Sequence, residues 1–140
     1  MLALPPRRSA RIALVALSAF WIVAGLNHFL MPAFYLGIMP PYLPAHLALV
    51  QFTGVLELAG GIGVLLRATR ALAGKCLVAL LIAFLPVHVH MVANPEAFVA
   101  QGIPYWALWL RFPVQALFIA WASWATRDRQ NEQHFGQLDE

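Results

Sequence analysis

Charged side chains are scarce in this 140-residue chain: nine Lys or Arg and six Asp or Glu make up 11% of it, against 61% hydrophobic residues. Ordinary soluble domains carry about 25% charged residues, so too little charge is present to solubilise an exterior of this size. Cysteine is nearly absent. The lone Cys76 has no partner for an internal disulfide, and without a Cys-x-x-Cys pair dithiol redox chemistry is excluded. No internal repeat or low-complexity tract is present. Basic charge is also thin, with a net +3 despite a pI near 9.6. A nucleic-acid footprint needs Lys and Arg clustered on one exposed face, and no nucleic-acid partner is expected. What remains is an integral membrane protein with mean hydropathy +0.72. A spanning helix takes ~20 apolar residues, so four spans leave no room for a soluble catalytic domain, a nucleotide-binding fold or a many-helix channel.

Four apolar runs are present, at about 12–31, 47–66, 71–92 and 105–125. The first is longer than the 7–15-residue core of a signal peptide and leads into Asn27-His28-Phe29, so it is expected to stay as a helix. Pro32, Pro40, Pro41 and Pro44 preclude a continuous helix in the stretch that follows. That stretch also carries Phe34, Tyr35, Leu36, Ile38 and Met39, which suits the membrane interface. Arg7, Arg8 and Arg11 precede the first run; Arg67, Arg70 and Lys75 lie around the second connection; Arg127 and Arg129 follow the fourth. The other two connections have no basic residue, so the positive-inside rule puts both termini in the cytoplasm. Trp106 and Tyr105 at one end of the last run, and Trp121 and Trp124 at the other, suit the two aromatic belts. The expectation is an all-α protein: a single four-span membrane domain, a four-helix bundle with cytoplasmic termini, in a bacterial inner membrane.

Polar residues inside the runs are few. Glu57 and Arg111 would each cost about 2.5–3.5 kcal/mol at the bilayer centre, so the sequence predicts that they pair inside the bundle or that Glu57 is neutral. With alternating helix directions, Asn27, His28, Gln51, His88, His90, Arg111, Glu57 and Gln115 all fall in the outer half. The inner half is nearly all Ala, Leu, Val, Ile and Gly, with Ser18 and Ser123. That asymmetry predicts an outward-facing polar pocket. Ser18, Trp21, Gly25 and His28 form one helical stripe, and Pro113 lies between Arg111 and Gln115, where it removes a helix hydrogen bond. Gln51 lies about 120° around the helix from Glu57, and His88 and His90 are about 200° apart, so only one of the two faces inward. His28, Glu57 and either His88 or His90 have the donor types of a two-histidine, one-carboxylate metal site. The Glu-x-x-His pattern of di-iron bundles and an i, i+4 histidine pair are both missing, and no metal is expected. His46 and His134 lie outside the runs.

Asn27-His28-Phe29, Pro32 and Ile38-Met39-Pro40-Pro41-Tyr42-Leu43-Pro44 resemble the first half of DoxX-like membrane proteins. So do Thr53-Gly54-Val55-Leu56-Glu57-Leu58-Ala59-Gly60-Gly61, Pro86-Val87-His88-Val89-His90-Met91 and Arg111-Phe112-Pro113-Val114-Gln115. The ordered set covers about residues 12–125, with His88 where many relatives would carry Asn. The resemblance implies a small membrane subunit associated with oxidoreductase complexes, and marks His28, Glu57, His90, Arg111 and Gln115 as shared positions.

Two functions are consistent with these features. In a quinone-linked redox component, donors must reach two ring carbonyls and a proton route is needed. Glu57 as proton relay and His28 as a donor to a ring carbonyl are then the catalytic candidates, and Arg111, on the other carbonyl, Gln115, His90, Trp21 and Gln51 are the candidate quinone-binding residues, with Trp21 and Phe112 flanking the ring. No flavin, haem or thiol motif is present, so a soluble or membrane oxidoreductase partner would supply the electrons. Alternatively the chain is a non-enzymatic scaffold that stabilises a partner or a homo-oligomer, its buried charges only specifying the bundle. A solute carrier and an enzyme acting on a lipid-soluble substrate are weaker readings.

Overall fold

The computed structural model describes residues 4–5 and 7–127, and all regular structure among them is helical. Helices α1 (Arg8–Leu30), α2 (Pro32–Ile38), α3 (His46–Gly63), α4 (Arg70–Ala83), α5 (Leu85–Ala93), α6 (Pro95–Val99) and α7 (Tyr105–Ala125) follow in order. Arg129 and His134 lie outside the described residues.

Three stretches are long and apolar enough to cross a membrane: α1, α3, and α4 taken together with α5. Helix α7 has 21 residues but is not among them; Arg111 and Gln115 lower its apolarity. The surface fits the same environment. Ile12, Val23, Leu30, Leu72, Trp106 and Leu117 are all exposed, on helices whose opposite faces pack against one another. Aqueous domains do not leave apolar area of this kind on every side.

Proline chemistry sets the breaks. Met31 leaves helical geometry and Pro32 opens α2, where its missing N–H is no loss. Pro40 is buried after α2, and Ala45 takes left-handed backbone (φ 49°) to redirect the chain into α3. Pro86 interrupts the ladder between α4 and α5.

Helix α1 packs on α3, α3 on α4, α4 on α7, and α7 returns to α1. Their contacts show that each neighbour runs antiparallel to the last. Ser18 Oγ donates to the Gly61 carbonyl at 2.6 Å while His28 meets Val50. Gly60 lies against Leu77 and Gly63 against Ala73; Gly74 lies against Thr126, and Gln115 Nε2 donates to the Leu81 carbonyl. Glycine makes the α1–α3 approach possible: a Cβ on Gly25 would stand 2.8 Å from the Gly54 carbonyl oxygen and 2.9 Å from the Leu58 nitrogen. The apolar core centres on Leu14, Leu17, Trp21, Leu77, Leu81 and Ala122, with Phe118 and Trp121 against it. A second, smaller cluster of Met91, Phe98 and Leu108 sits at the opposite end.

Arg7, Arg8, Arg11, Arg67, Arg70, Lys75 and Arg127 all belong to the end of this ring where α1 starts, α3 meets α4 and α7 stops. The other end carries α2, α5 and α6.

Candidate functional site

The buried residues of α1 form the stripe Ala10, Leu14, Leu17, Ser18, Trp21, Gly25 and His28. Those of α3 include Val50, Gly54, Glu57 and Gly61. The two stripes face each other, which brings His28, 4% exposed, to Glu57, 3% exposed. His28 Nε2 and Glu57 Oε2 are 3.4 Å apart. The pair is near enough for charge attraction but is not aligned as a hydrogen bond, since Glu57 Oε2 has no hydrogen-bond partner.

The other ring nitrogen determines what this pair holds. His28 Nδ1 lies 2.8 Å from the Val50 carbonyl oxygen. A carbonyl only accepts, so Nδ1 carries a hydrogen and donates it. The Thr53 hydroxyl donates to the same carbonyl at 3.0 Å, and its oxygen is 3.2 Å from Nδ1. With Nδ1–H fixed, a neutral imidazole presents a lone pair at Nε2, and an ionised Glu57 opposite it would be repelled. One proton resolves this, as an imidazolium facing a carboxylate or as an imidazole facing a carboxylic acid. Either form is neutral overall, the form a membrane interior favours. His28 and Glu57 thus form a buried dyad.

Helix α2 folds back over the dyad. The Tyr35 ring stacks on His28 with centroids 3.7 Å apart and planes 28° apart, and Asn27 Nδ2 donates to the Tyr35 hydroxyl at 3.0 Å. Burial lifts the Tyr35 phenol above its usual value near ten; the Asn27 hydrogen bond opposes this and a Glu57 charge adds to it. Tyr35 therefore stays protonated at physiological pH.

The expected Glu57–Arg111 pair is not made: the ion-pair partner of Glu57 is His28. Arg111 nonetheless belongs to the inward stripe of α7, between buried Leu108 and buried Gln115. Its depth matches the dyad. Phe20 stacks on Phe118 at 4.6 Å, and equal steps outward along antiparallel α1 and α7 from that contact reach His28 on one helix and Leu110–Arg111 on the other. The His88 ring meets the edge of Phe112 at 6.1 Å, which puts it on the same level. Among the described residues, four buried polar atoms lack a hydrogen-bond partner: Trp21 Nε1, Glu57 Oε2, His88 Nδ1 and Arg111 Nε. Such atoms are rare in folded proteins, and here four different helices supply them.

Two of the expected ligand-binding residues lie elsewhere. Gln51 is exposed, on the face of α3 turned away from Glu57. Of the two histidines, His88 faces α7, while His90 meets Tyr42, Phe98 and Asn94 at the loop-bearing end. Trp21 is in the apolar core, T-shaped against Phe20. Gln115 is buried, its amide engaged by Leu81. Sequence reasoning missed Tyr35 and Thr53 as neighbours of His28. Thr53 and Glu57 are i, i+4 and so share a face of α3, but no periodicity signals the return of α2. Among the described residues, no group of three His, Cys, Asp or Glu stands close enough to hold a metal ion.

Neither a curated protein nor a solved structure matches the chain. A family model does match, over residues 17–126, from the middle of α1 to the end of α7 and including every residue of the dyad and its surroundings. The chain belongs to that family, which is described as a domain of unknown function (DUF8561).

Proposed function

We propose that this member of the family is a DoxX-like, four-span protein of the bacterial inner membrane, with both termini cytoplasmic, and that it serves as a proton-exchanging subunit of a quinone-linked redox complex. The observation that carries the reading is the His28–Glu57 pair, buried at 3.4 Å with His28 Nδ1 held by the Val50 carbonyl, which a single shared proton would make neutral. Ionisable groups held at membrane depth mark proton relays and substrate pathways. The antiparallel ring is a four-helix bundle in this reading, with α7 as its fourth span. The basic residues at one end support the orientation, and the dyad then lies in the outer half.

Arg111 and Trp21 carry the buried N–H donors that a quinone's carbonyl oxygens would need. Gln51 and His90 have no part in the site, and His88 takes the inward place. An oxidoreductase partner supplies the electrons; this chain contributes the apolar enclosure and the proton. The scaffold alternative requires a Glu57–Arg111 pin, and the Ser18–Gly61 and Gln115–Leu81 contacts tie the helices without one.

Glu57→Gln tests the reading, because the amide keeps the shape but does not exchange a proton. In native membranes the variant should remain folded and lose quinone turnover by about 10²–10⁴-fold, the usual contribution of a positioned acid or base. Turnover at the wild-type rate rejects Glu57 as the proton carrier. Mass spectrometry of lipids retained by wild type and Arg111→Ala gives an independent check, with quinone enriched in the first and lost from the second.

A further inference from the structure

We propose that two copies of this chain associate in the membrane through the exposed face of α3, with their Gln51 side chains hydrogen-bonded to each other across a two-fold axis. The proposal stands apart from the ligand site and uses a residue that the dyad leaves idle.

Gln51 is exposed, and its side chain makes no hydrogen bond to a described residue. Every other exposed residue of α3 is apolar. The helix has 18 residues and is one of the candidate spans. Its length of about 27 Å fits within a hydrocarbon core of about 30 Å, so nearly all of it lies among lipid tails. Gln51 follows the first residue, His46, by about 7–8 Å along the axis. Lys75 is as far into α4 and is exposed, but a lysine stem is long enough to bring its charge to water. Glutamine is shorter. Its amide, left among lipid tails, has N–H donors and an oxygen acceptor with nothing to bond, which is strongly unfavourable.

The missing partner must present a donor and an acceptor at this depth, and a second copy does so by construction. Copies inserted the same way carry α3 in the same direction, so a two-fold axis along the membrane normal puts both Gln51 residues on one level. The contact is then isologous, and a residue near the axis meets itself. An amide suits that meeting because it donates and accepts: each Nε2 donates to the other copy's Oε1, and two bonds close. A carboxylate or an ammonium would repel its own copy. The neighbouring surface admits the approach. Ala48, Gln51, Val55, Ala59 and Ile62 recur at spacings of three and four along one exposed stripe. It lies apart from the faces that Gly54 and Gly61 turn to α1, and Gly60 and Gly63 to α4. The two alanines let a second helix come close.

Energy transfer in a bilayer tests this. Full chains labelled at the N-terminus with a donor or an acceptor dye are reconstituted in phosphatidylcholine vesicles and diluted with lipid. Wild type should associate, with transfer rising linearly with acceptor fraction, as a dimer requires. Gln51→Leu should keep its helicity and associate about tenfold more weakly, the effect of losing interhelical polar bonds. Gln51→Asn, which retains an amide, should lie closer to wild type. Oxidative cross-linking locates the contact. In a Cys76→Ser background, Val55→Cys should form a disulfide-linked dimer. Leu117→Cys, on α7 across the ring from α3 and 69% exposed, should not. Association of Gln51→Leu as tight as wild type overturns the proposal, and so does cross-linking at position 117 in preference to 55. Chains that never associate overturn it too, and assign the amide's partner to another protein or to the lipid headgroups. None of these readouts uses the dyad or a bound quinone, so the proposed function is tested separately.

Discussion

Gly54→Ala is the substitution that best tests the α1–α3 geometry on which the dyad depends. A Cβ built there stands 2.7 Å from His28 Cβ, 3.0 Å from Phe29 Cε2 and 3.1 Å from the Gly25 carbonyl oxygen. Ordinary contact begins at 3.4 Å, so α1 must withdraw by 3.4 − 2.7 = 0.7 Å. The same movement stretches the His28 Nδ1–Val50 hydrogen bond from 2.8 Å to about 3.5 Å, where such a bond is nearly lost. Overpacking costs about 1–3 kcal/mol and the lost bond about 1 kcal/mol. Alanine returns about 1 kcal/mol of helix propensity. The expected outcome is a loss of about 1–3 kcal/mol, read from reversible unfolding in a denaturing-detergent titration followed by helicity. Gly37→Ala is the control, since its nearest neighbour, Gln101 Oε1, is 3.9 Å away. A Gly54→Ala protein as stable as Gly37→Ala would refute the close approach and, with it, the tautomer argument.

Four other outcomes follow from the same contacts. Ser18→Ala removes the 2.6 Å bond to the Gly61 carbonyl and should cost about 1 kcal/mol in the same titration. Arg111→Met should gain about 1 kcal/mol or more, because the guanidinium has no described partner to lose and its desolvation is relieved. Exchanging the charges, with Glu57→Arg and Arg111→Glu combined, should not restore a fold lost by either alone; rescue would mean that the two residues pair after all. Tyr35→Leu removes the ring that covers His28 and should speed deuterium exchange at its ring nitrogens, whereas Tyr35→Phe, which keeps the stack, should exchange close to wild type.

The helical segments and their breaks could be read from the chain because apolar run length and proline placement act locally. Which way each residue faces was harder. In a soluble helix the apolar stripe marks the core, but here Val23 and Leu30 are exposed beside buried Leu17 and Trp21, and periodicity in Leu or Val carries little information. Small residues carry it instead: Ser18 and Gly25 mark the buried face of α1, and Gly54 and Gly61 that of α3. Depth was likewise legible by counting from helix ends, and it put His28, Glu57 and Arg111 in the same half. Pairing was not, because equal depth leaves the choice of neighbour open. Glu57 met the histidine across the nearest seam and not the arginine on α7. Tyr35 was hidden for another reason: the return of α2 depends on Met31, Pro32 and the left-handed Ala45, and Ala carries no signal for that conformation.

His28 is anchored at one nitrogen by a main-chain atom and faces a side chain at the other, so natural variation reaches its two ends unequally. No substitution at position 50 removes the carbonyl that holds Nδ1. Any residue that preserves the course of α3 there keeps the tautomer, while burial of Val50, 1% exposed, confines position 50 to apolar residues of about its size. Glu57 has no such insurance, since a single-base change in its codon is enough to make glutamine. Among relatives that retain the dyad's chemistry, the marks of selection should therefore fall on positions 28 and 57 and on the glycine seam between them, while position 50 varies among apolar residues.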